Sequence, residues 1–536
     1  MKLRHILSVV IITSCLLGCE SIIDKRPLDR IDANSVWKEQ NTAEAAIFNI
    51  YSRISTGFFD TNNGGYIFST CNVSDESRSK SGWIGSNKVI VPGNMEATRN
   101  PMDVWKVRYE SIRDCNIAVE SLKTSPIEEN LRNRLNAEAR FVRAWLYFDL
   151  TRRYGGVPLI TVPQQLNDGI EALKVSRETY ENCIDFITKE LKESAELLPN
   201  SVANEEWGRA TKQACDALNG RVLMYAQRWS EAANYSKKVI DSDQFKLYDD
   251  YNALFQTNGR TEESIFDKLF LEPDRTHSWD YYNIPYGFTP DFGSQTNPVQ
   301  EMVDSYEMVN GKAITDPTSG YDPQNPYKDR DPRFNATILY NGAPFKGKLI
   351  ETYTGGAQGL LKNGLCTVTG YYIRKFIEES KGAPSKGTST VSWKELRYGE
   401  VLLNYAEAQN EAAGPDNSVY SAINQIRNRA GMPDITAGLD KDAMREVIRH
   451  ERKIELAFEN HRYWDLIRWG KAKEVLNDKQ FHGMQITKND DGSFTYDASF
   501  IVTRGGTQVF NDRQYLFPIP QSEINKNSNL TQNPGY

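Results

Sequence analysis

The sequence predicts a mainly α-helical protein in which tetratricopeptide-like helical hairpins form a scaffold for a large, loop-rich face. Apolar residues recur at helical spacing on two faces of segment 128–154, so this helix should lie between neighbouring helices. Segments 211–227 and 230–241 form a helix-turn-helix of about the 34-residue tetratricopeptide size, with small residues at Gly220 and Ala232. Segment 245–391 is rich in Gly, Pro, Asn, Asp and Tyr, which predicts long loops with short strands.

The other helices follow from the same periodicity. They are expected at 41–55, 102–122, 179–198, 395–413, 419–430 and 444–476, and an irregular tail follows them. Because helices alternate with irregular segments, we predict one interwoven body with an N-terminal helical region at 33–245 and a C-terminal region at 246–536.

Composition and charge exclude some partners. Of the 536 residues, 39% are hydrophobic and 25% are charged, which is typical of a globular protein. Acidic residues outnumber basic ones by 71 to 64, and no basic cluster stands out. A nucleic-acid partner is therefore not expected, and a neutral ligand fits best.

The N-terminus has the pattern of an export signal. Lys2 and Arg4 precede an apolar run at 6–17 that is too short to span a bilayer. The run ends in Leu-Leu-Gly-Cys at 16–19, which resembles a bacterial lipobox. We therefore predict a signal peptide at 1–18, a palmitate-bearing lipid anchor on Cys19, and a tether at 19–32 that holds the protein at a membrane.

The remaining cysteines and the acidic turns do not predict a metal site or any other cofactor. Five cysteines lie scattered without paired spacing, which argues against a disulfide framework or a zinc site and favours small buried side chains: Cys71, Cys115, Cys183, Cys215 and Cys366. Asp329, Asp331 and the turn at 489–492 could hold a structural calcium ion, but turn chemistry explains them better.

Several segments together resemble the SusD/RagB family of Bacteroidetes surface lipoproteins. They are EARFVRA at 138–144, YFDL at 147–150, RYGGVPL at 153–159, WGRAT at 207–211, DPRF at 331–334, RYGEVLLNYAEA at 397–408, ERKIELAFE at 451–459, Arg462, Asp465-Leu466, RWG at 468–470, FPIPQSEI at 517–524 and QNPGY at 532–536. They follow the family order across nearly the whole chain after the leader.

The resemblance implies a fold and a biological role. The fold would be a SusD-like α-α superhelix of four tetratricopeptide-like units with a loop-rich ligand face. The protein would sit on the exterior of the outer membrane by its lipid anchor, over a SusC-like TonB-dependent transporter barrel. It would capture an oligosaccharide or polysaccharide and pass it to that barrel, although a minority of the family binds peptides.

Two loop segments have the composition of a sugar site. A neutral sugar binds through exposed flat rings and through groups that hydrogen-bond its hydroxyls. Members of the family commonly build their sugar platform from the regions that correspond to 72–87 and 279–288. The candidate stacking residues are Trp83, Trp279, Tyr282 and Tyr286, and the candidate hydrogen-bonding residues are Asp75, Arg78, Asn87 and Asn283.

Three other functions remain open at this stage. The protein could be a peptide-binding member of the same family, or a repeat scaffold without a small ligand. It could also be a lipid-anchored glycosidase, because Glu455 and Glu459 lie four residues apart on one helix face. Arg452 and Arg462 share that stripe, and their charges would lower both carboxyl pKa values, so we predict structural ion pairs and no catalysis.

Overall fold

The structure is a computed structural model that describes residues 35–54, 57–58, 69–82, 86–289 and 292–536. The predicted signal peptide, the lipidation site at Cys19, the tether and the candidate stacking residue Trp83 all lie outside the described residues. None of the helices in the described ranges is long and apolar enough to cross a bilayer.

Helices dominate the described chain, and its strands are short. The helices are α1 (Gln40–Tyr51), α2 (Trp105–Leu122), α3 (Glu129–Tyr154), α4 (Ile170–Leu173), α5 (Tyr180–Leu197), α6 (Lys212–Tyr225), α7 (Trp229–Asp241), α8 (Tyr251–Leu254), α9 (Trp279–Asn283), α10 (Gln300–Ser305), α11 (Pro332–Thr337), α12 (Tyr398–Ala413), α13 (Asn417–Arg429), α14 (Lys441–Glu455), α15 (Arg462–Arg468), α16 (Ala472–Leu476) and α17 (Gln521–Lys526). The strands are β1 (Ser77–Ser79), β2 (Ser264–Lys268), β3 (Thr296–Pro298), β4 (Ile338–Leu339), β5 (Pro344–Phe345), β6 (Lys348–Leu349), β7 (Tyr372–Ile373), β8 (Trp393–Arg397), β9 (His482–Lys488) and β10 (Phe494–Ile501). The predicted mainly helical class is confirmed.

The long helices form one continuous stack. Each of α2, α3, α5, α6, α7 and α12 packs against the next in that order, and α12 also packs against α13 and α14. Because α7 lies before residue 245 and α12 lies after it, the stack contains helices from both predicted regions.

The helix α3 lies at the centre of this stack. Its N-terminus is capped by the Glu128 carboxylate, which accepts the backbone N–H groups of Asn130 and Leu131 at 2.9 Å each. Such a cap satisfies N–H groups that have no partner within the helix. Apolar side chains are buried on both predicted faces of α3, as in Phe141 and Val142, because helices cover it on both sides.

The helices α6 and α7 approach closely at the predicted small residues. A Cβ atom on Gly220 would lie 2.7 Å from the Ser236 hydroxyl, and Ala232 is fully buried in the same interface. The absence of a side chain at Gly220 therefore allows the two helices to pack at this distance, as the spacing predicts.

Two predicted helix boundaries are wrong. Residues 395–397 belong to β8, which pairs with β2, so α12 starts at Tyr398. The predicted helix at 444–476 is divided into α14, α15 and α16, because Phe458, Asn460 and Gly470 have positive φ angles that an α-helix does not accommodate.

The strands pair in five antiparallel two-stranded sheets within the described residues: β1 with β3, β2 with β8, β4 with β7, β5 with β6, and β9 with β10. Most of these pairs are formed by the loop-rich segment between α7 and α12, as the composition predicts. In the turn of the β9–β10 hairpin, the Asn489 amide donates a hydrogen bond to the Ser493 hydroxyl. The Asp491 carboxylate accepts the N–H and the hydroxyl of Ser493, so these side chains stabilise a turn.

Candidate functional site

The short pairing of β1 with β3 joins the two loop segments that the sequence singles out. Arg78 lies opposite Asn297 in the register, and the contact continues beyond the strands. The Lys80 N–H donates to the Gln295 carbonyl at 3.2 Å, and the Ser81 hydroxyl donates to the Gln295 side-chain oxygen at 2.6 Å. We call this region, residues 77–82 and 86–87 with residues 279–289 and 292–298, the loop junction.

Four aromatic rings are half-exposed among the described residues of the loop junction, Tyr281, Tyr286, Phe288 and Phe292, and Phe288 packs edge-on against Phe345. The Tyr281 and Phe292 ring centroids lie 5.6 Å apart with 31° between the ring planes. Tyr282 is buried beneath them and meets both rings nearly edge-on, at 5.1 Å and 5.7 Å. Edge-on packing of this kind holds the outer rings in fixed orientations, so they offer partly open faces to a ligand.

The prediction that Trp279 is an exposed stacking residue is wrong. Only 1% of its surface is exposed, and its indole N–H donates to the Lys375 carbonyl at 3.3 Å. Its ring packs in the core against Phe58 and Phe376, with centroids 5.4 Å and 6.0 Å away. The prediction that Tyr282 is exposed is wrong as well, because its ring is buried. Tyr286, by contrast, is half-exposed.

The helix α9 explains which rings are buried. Trp279, Tyr282 and Asn283 are related by steps of three and four residues, so they share the face that α9 turns inward. Tyr281 lies off that face and reaches the surface.

The four predicted hydrogen-bonding side chains are also buried, and they stabilise the loop junction. Asn283 donates to the Trp279 carbonyl at 3.1 Å and accepts the Thr296 N–H at 3.0 Å. The Asn87 amide donates to the carbonyls of Ser79 and Ser81 at 2.9 Å and 3.1 Å. Both side chains are buried, so the prediction of exposed ligand contacts there is wrong.

Asp75 and Arg78 tie the loop junction to distant parts of the chain. Asp75 forms ion pairs with Arg462 at 2.8 Å and Lys453 at 2.9 Å. Burial alone would raise the pKa of Asp75, but these two cations outweigh it and hold the pKa well below its usual range. Arg78 donates to the Ser74 carbonyl at 2.7 Å and to the Gln508 side chain, and its burial lowers its pKa to about 10. Both residues hold the loop in place and are closed to a ligand.

Two further loops adjoin the loop junction, and sequence reasoning did not identify them. In the turn at 361–365, Leu361 and Leu365 are 47% and 36% exposed, and Leu361 has a φ of 59°, which is uncommon for a leucine. Strained residues of this kind often occur at ligand contacts. The Lys80 ammonium donates to the Leu365 carbonyl at 3.0 Å, which places this turn beside the loop junction.

The other adjoining loop carries Arg504. A Cβ atom on Gly82 would lie 2.7 Å from the guanidinium nitrogen Nη1 of Arg504, so this cation covers the backbone that leads to Trp83. The distance in sequence between these loops, more than 400 residues, explains why a local pattern does not reveal the contact.

Comparison with known proteins identifies the family. A family model described as "SusD family" matches residues 262–536, which is more than half of the chain. The chain belongs to the SusD family. A second model, described as "Starch-binding associating with outer membrane", matches residues 34–224.

The relatives of this SusD-family chain match it over most of its length. It is 26% identical to the SusD-like protein P2 of Formosa agariphila, over 99% of this chain and all of that protein. A SusD-like protein of Bacteroides fragilis is 31% identical, with a TM-score of 0.80 over 96% of this chain and all of that one. A SusD-like carbohydrate-binding protein from the same species is 28% identical, with a TM-score of 0.81 over 93% and 100% of the two chains.

The two carboxylates that could suggest a glycosidase are held in buried ion pairs. Glu455 pairs with Arg333, Arg397 and Arg429, at 3.0, 2.8 and 2.5 Å. Burial alone would raise its pKa, but the three guanidinium groups outweigh burial and hold the pKa well below its usual range. A general acid needs a raised pKa, so Glu455 is unsuited to that role.

Glu459 is held in the same way. It pairs with Lys375 and Arg397 at 2.7 Å each, and these charges lower its pKa against the effect of burial. The predicted ion pairing of both glutamates is confirmed, but their partners differ from those expected. Arg452 contacts Asp465 and Glu407, and Arg462 contacts Asp75.

The possible metal ligands are used otherwise in the described ranges. Asp331 caps α11 and pairs with Arg333 at 2.7 Å, and the described residues contain no cluster of three or more His, Cys, Asp or Glu side chains that could hold a metal ion. All five scattered cysteines that follow the tether are buried, as predicted.

Another groove lies beside Trp207, and its lining residues are outside the loop junction. It has a volume of about 780 Å³ and is lined by Trp207, Tyr248, Arg260 and Leu269 among others. The Trp207 indole N–H donates to Asp267 at 3.2 Å, and the Arg260 guanidinium covers one ring face at 4.7 Å from its centroid. Because one face is already covered, this ring offers less open surface than its half-exposed position suggests.

Proposed function

We propose that this protein binds oligosaccharides at the loop junction, as a capture protein for nutrient uptake. The observation that carries the proposal is the pair of half-exposed rings Tyr281 and Phe292, which buried Tyr282 holds from beneath, with half-exposed Tyr286 on the same loop. Rings in fixed orientations bind the C–H faces of sugars at low entropic cost. Trp83, which the sequence predicts to be a stacking residue, remains a candidate for the same role and is included in the test.

Two relatives support the choice of ligand class. One solved relative is named as a SusD-like carbohydrate-binding protein, and another relative, 25% identical over 76% of this chain, is the starch-binding protein SusD of Bacteroides thetaiotaomicron. The family members whose names state an activity are binding proteins, which favours capture over hydrolysis for this chain as well.

The binding test uses a panel of oligosaccharides and peptides with purified residues 20–536. Titration calorimetry would compare the wild type with Tyr281→Ala, Phe292→Ala and Trp83→Ala. Each ring contact contributes about 0.5–1.5 kcal/mol beyond the area it buries, so each variant should bind about 3- to 10-fold more weakly. Tyr235→Ala, a half-exposed tyrosine on α7 in the helical stack, is the matched control and should bind as the wild type does.

Three outcomes would contradict this proposal. Cleaved glycan products would indicate a lipid-anchored glycosidase, and binding of peptides alone would indicate a peptide-binding member of the family. Unchanged glycan affinity in all three ring variants would show that the site lies elsewhere, for instance in the Trp207 groove.

We further propose that the captured glycan passes to a TonB-dependent transporter in the outer membrane, to which a lipid on Cys19 holds the protein. Weak capture suits such a transfer, since a dissociation constant of about 1 mM corresponds to only about −4 kcal/mol. Fractionation of cells with wild-type protein or Cys19→Ala tests the anchor, and surface proteolysis tests which side it faces. Loss of the Cys19→Ala protein from the membrane fraction supports the anchor, and co-purification of a barrel with the wild type supports the transfer.

A further inference from the structure

Lys80 is a buried cation whose hydrogen-bonding capacity is largely unused. Only 7% of its surface is exposed, and its ammonium group donates one hydrogen bond, to the Leu365 carbonyl at 3.0 Å. An ammonium group has three N–H donors, and a buried charge normally pairs with a carboxylate or with several acceptors. In the ranges that the structure describes, no ion pair includes Lys80.

Other lysines of the same chain show how such a group is usually satisfied. Lys268, also without a carboxylate partner, donates to three carbonyls, those of Tyr51, Ser52 and Ile54, at 3.2, 3.2 and 3.0 Å. Lys375 pairs with Glu459, and Lys394 pairs with Asp267. Among the residues that the structure describes, Lys80 has one acceptor, so two of its donors have no acceptor there.

Arg504 is a second cation beside Lys80. It is exposed, its guanidinium lies over Gly82, and no hydrogen bond or ion pair of the described residues occupies its side chain. Burial lowers the pKa of Lys80 to about 8, and the positive charge of Arg504 contributes to that lowering. Arg504 thus lies over a residue two positions from Lys80, and an anion bound by both cations would relieve the repulsion between them.

We propose that the ligand of the loop junction is an acidic oligosaccharide, whose carboxylate or sulfate group binds between Lys80 and Arg504. This inference rests on the proposed function and adds the class of substrate. The chain as a whole carries a net charge of −7, so the two cations are not part of a generally basic surface. The net charge of the whole chain favours a neutral ligand, but the two positive charges at this site favour an anionic one.

In this proposal the aromatic rings and the two cations contact different parts of the ligand. The sugar ring would contact the half-exposed aromatic rings, while its anionic substituent would accept charge-assisted hydrogen bonds from Lys80 and Arg504. A fork of guanidinium donors suits the planar oxygens of a carboxylate, and an ammonium group suits either a carboxylate or a sulfate.

The test compares oligosaccharides of equal length that are neutral, uronate-bearing or sulfated. Calorimetry at low ionic strength should show that one acidic series binds at least about 10-fold more tightly than the neutral series. The difference should shrink when NaCl rises to about 1 M, because salt screens charges at an exposed site. Uronate and sulfate arms distinguish which anion the site accepts.

Two variants locate the effect. Arg504→Gln and Lys80→Met should each remove most of the preference for the acidic ligand, measured as the ratio of its affinity to that of the neutral ligand in the same variant. The matched control is Arg99→Gln, since Arg99 is likewise exposed and has no ion pair among the described residues. Arg504 lies on the surface, so its variant remains informative if Lys80→Met does not fold.

The outcomes separate this inference from the proposed function. Equal affinity for neutral and acidic ligands, with weaker binding in Tyr281→Ala, would overturn the acidic ligand and leave sugar binding intact. A preference for acidic ligands that survives in both cation variants would also overturn it. Absence of binding to every glycan would overturn the proposed function itself.

Discussion

Replacement of Glu455 by Gln tests whether this carboxylate is structural or catalytic. Glu455 is fully buried, and its two oxygens contact Arg333, Arg397 and Arg429 within 3.0 Å. An amide has nearly the same shape but carries no charge, so Glu455→Gln leaves the positive charge of the arginines only partly compensated. Removal of one partner from a buried ion pair costs about 3–5 kcal/mol in the free energy of unfolding.

The remaining acidic partners determine where in that range the cost should fall. Arg333 still contacts Glu451 and Asp331, and Arg397 still contacts Glu263 and Glu459. We therefore expect the lower end, about 3 kcal/mol, which corresponds to about 3 °C in Tm for a chain of this length. Urea denaturation followed by circular dichroism measures the free energy, and a thermal scan measures the Tm.

The matched control is Glu446→Gln on the same helix, α14. The Glu446 side chain is 72% exposed and contacts only Arg449, at 3.0 Å. A solvent-exposed pair contributes less than about 1 kcal/mol, so this variant should unfold almost as the wild type does. Equal stability of both variants would refute the structural role of Glu455, and lost glycan cleavage in a stable Glu455→Gln protein would show a catalytic one.

The pH dependence of Glu455 has a definite sign. Its pKa in the folded protein is depressed below the unfolded value of about 4.5, so its contribution to stability is complete above that pH and is lost as the pH falls through the folded pKa. The wild type should therefore lose stability on acidification below about pH 4.5, and Glu455→Gln should lose less over the same range.

Three further results follow from the described contacts. Trp279→Ala should lower the free energy of unfolding by about 3–5 kcal/mol, measured by urea denaturation, whereas Tyr281→Ala should change it little; the reverse order would contradict the burial of Trp279. Gly220→Leu should cost at least about 1–3 kcal/mol by forcing α6 from α7, with Gly382→Ala, which has open space around it, as the neutral control. His277 is buried and its pKa is lowered to about 3, so its ring stays neutral in the folded protein. Below about pH 6.5 the unfolded chain binds a proton at this histidine, so the free energy of unfolding should fall as the pH is lowered. A urea midpoint that stays constant between pH 6.5 and 5 would contradict this.

The helices could be predicted from the sequence because their signals are local. The first residues of α5 and α6 follow from Thr179 and Thr211, which precede them as N-caps. Their hydroxyls accept the backbone N–H groups of Asn182 and Ala214 at 3.1 Å and 3.2 Å. The break after α14 was missed because Phe458 is a residue type that rarely adopts a positive φ angle, although Asn460 is one that adopts it more readily.

The candidate site was predicted less well, because its contacts join residues far apart in the chain. Asp75 is polar and lies in a loop, which indicates exposure until Arg462, 387 residues later, is seen beside it. Gly82 and Arg504 likewise carry no local signal that they are neighbours. The burial of Trp279, by contrast, could have been inferred, because its three- and four-residue spacing to Tyr282 and Asn283 marks one face of a helix.

The residues that were expected to bind the ligand instead order the loop junction when the chain folds. Asp75 is held by Lys453 on α14 and Arg462 on α15, and the neighbouring Glu76 accepts the Phe458 N–H at 2.8 Å from the connection between those helices. A loop without such contacts would have to be ordered when a ligand binds, at an entropic cost comparable with the weak affinity of a few ring contacts. Because the ordering cost is met on folding, even the half-exposed rings at the surface can contribute most of their contact energy to binding.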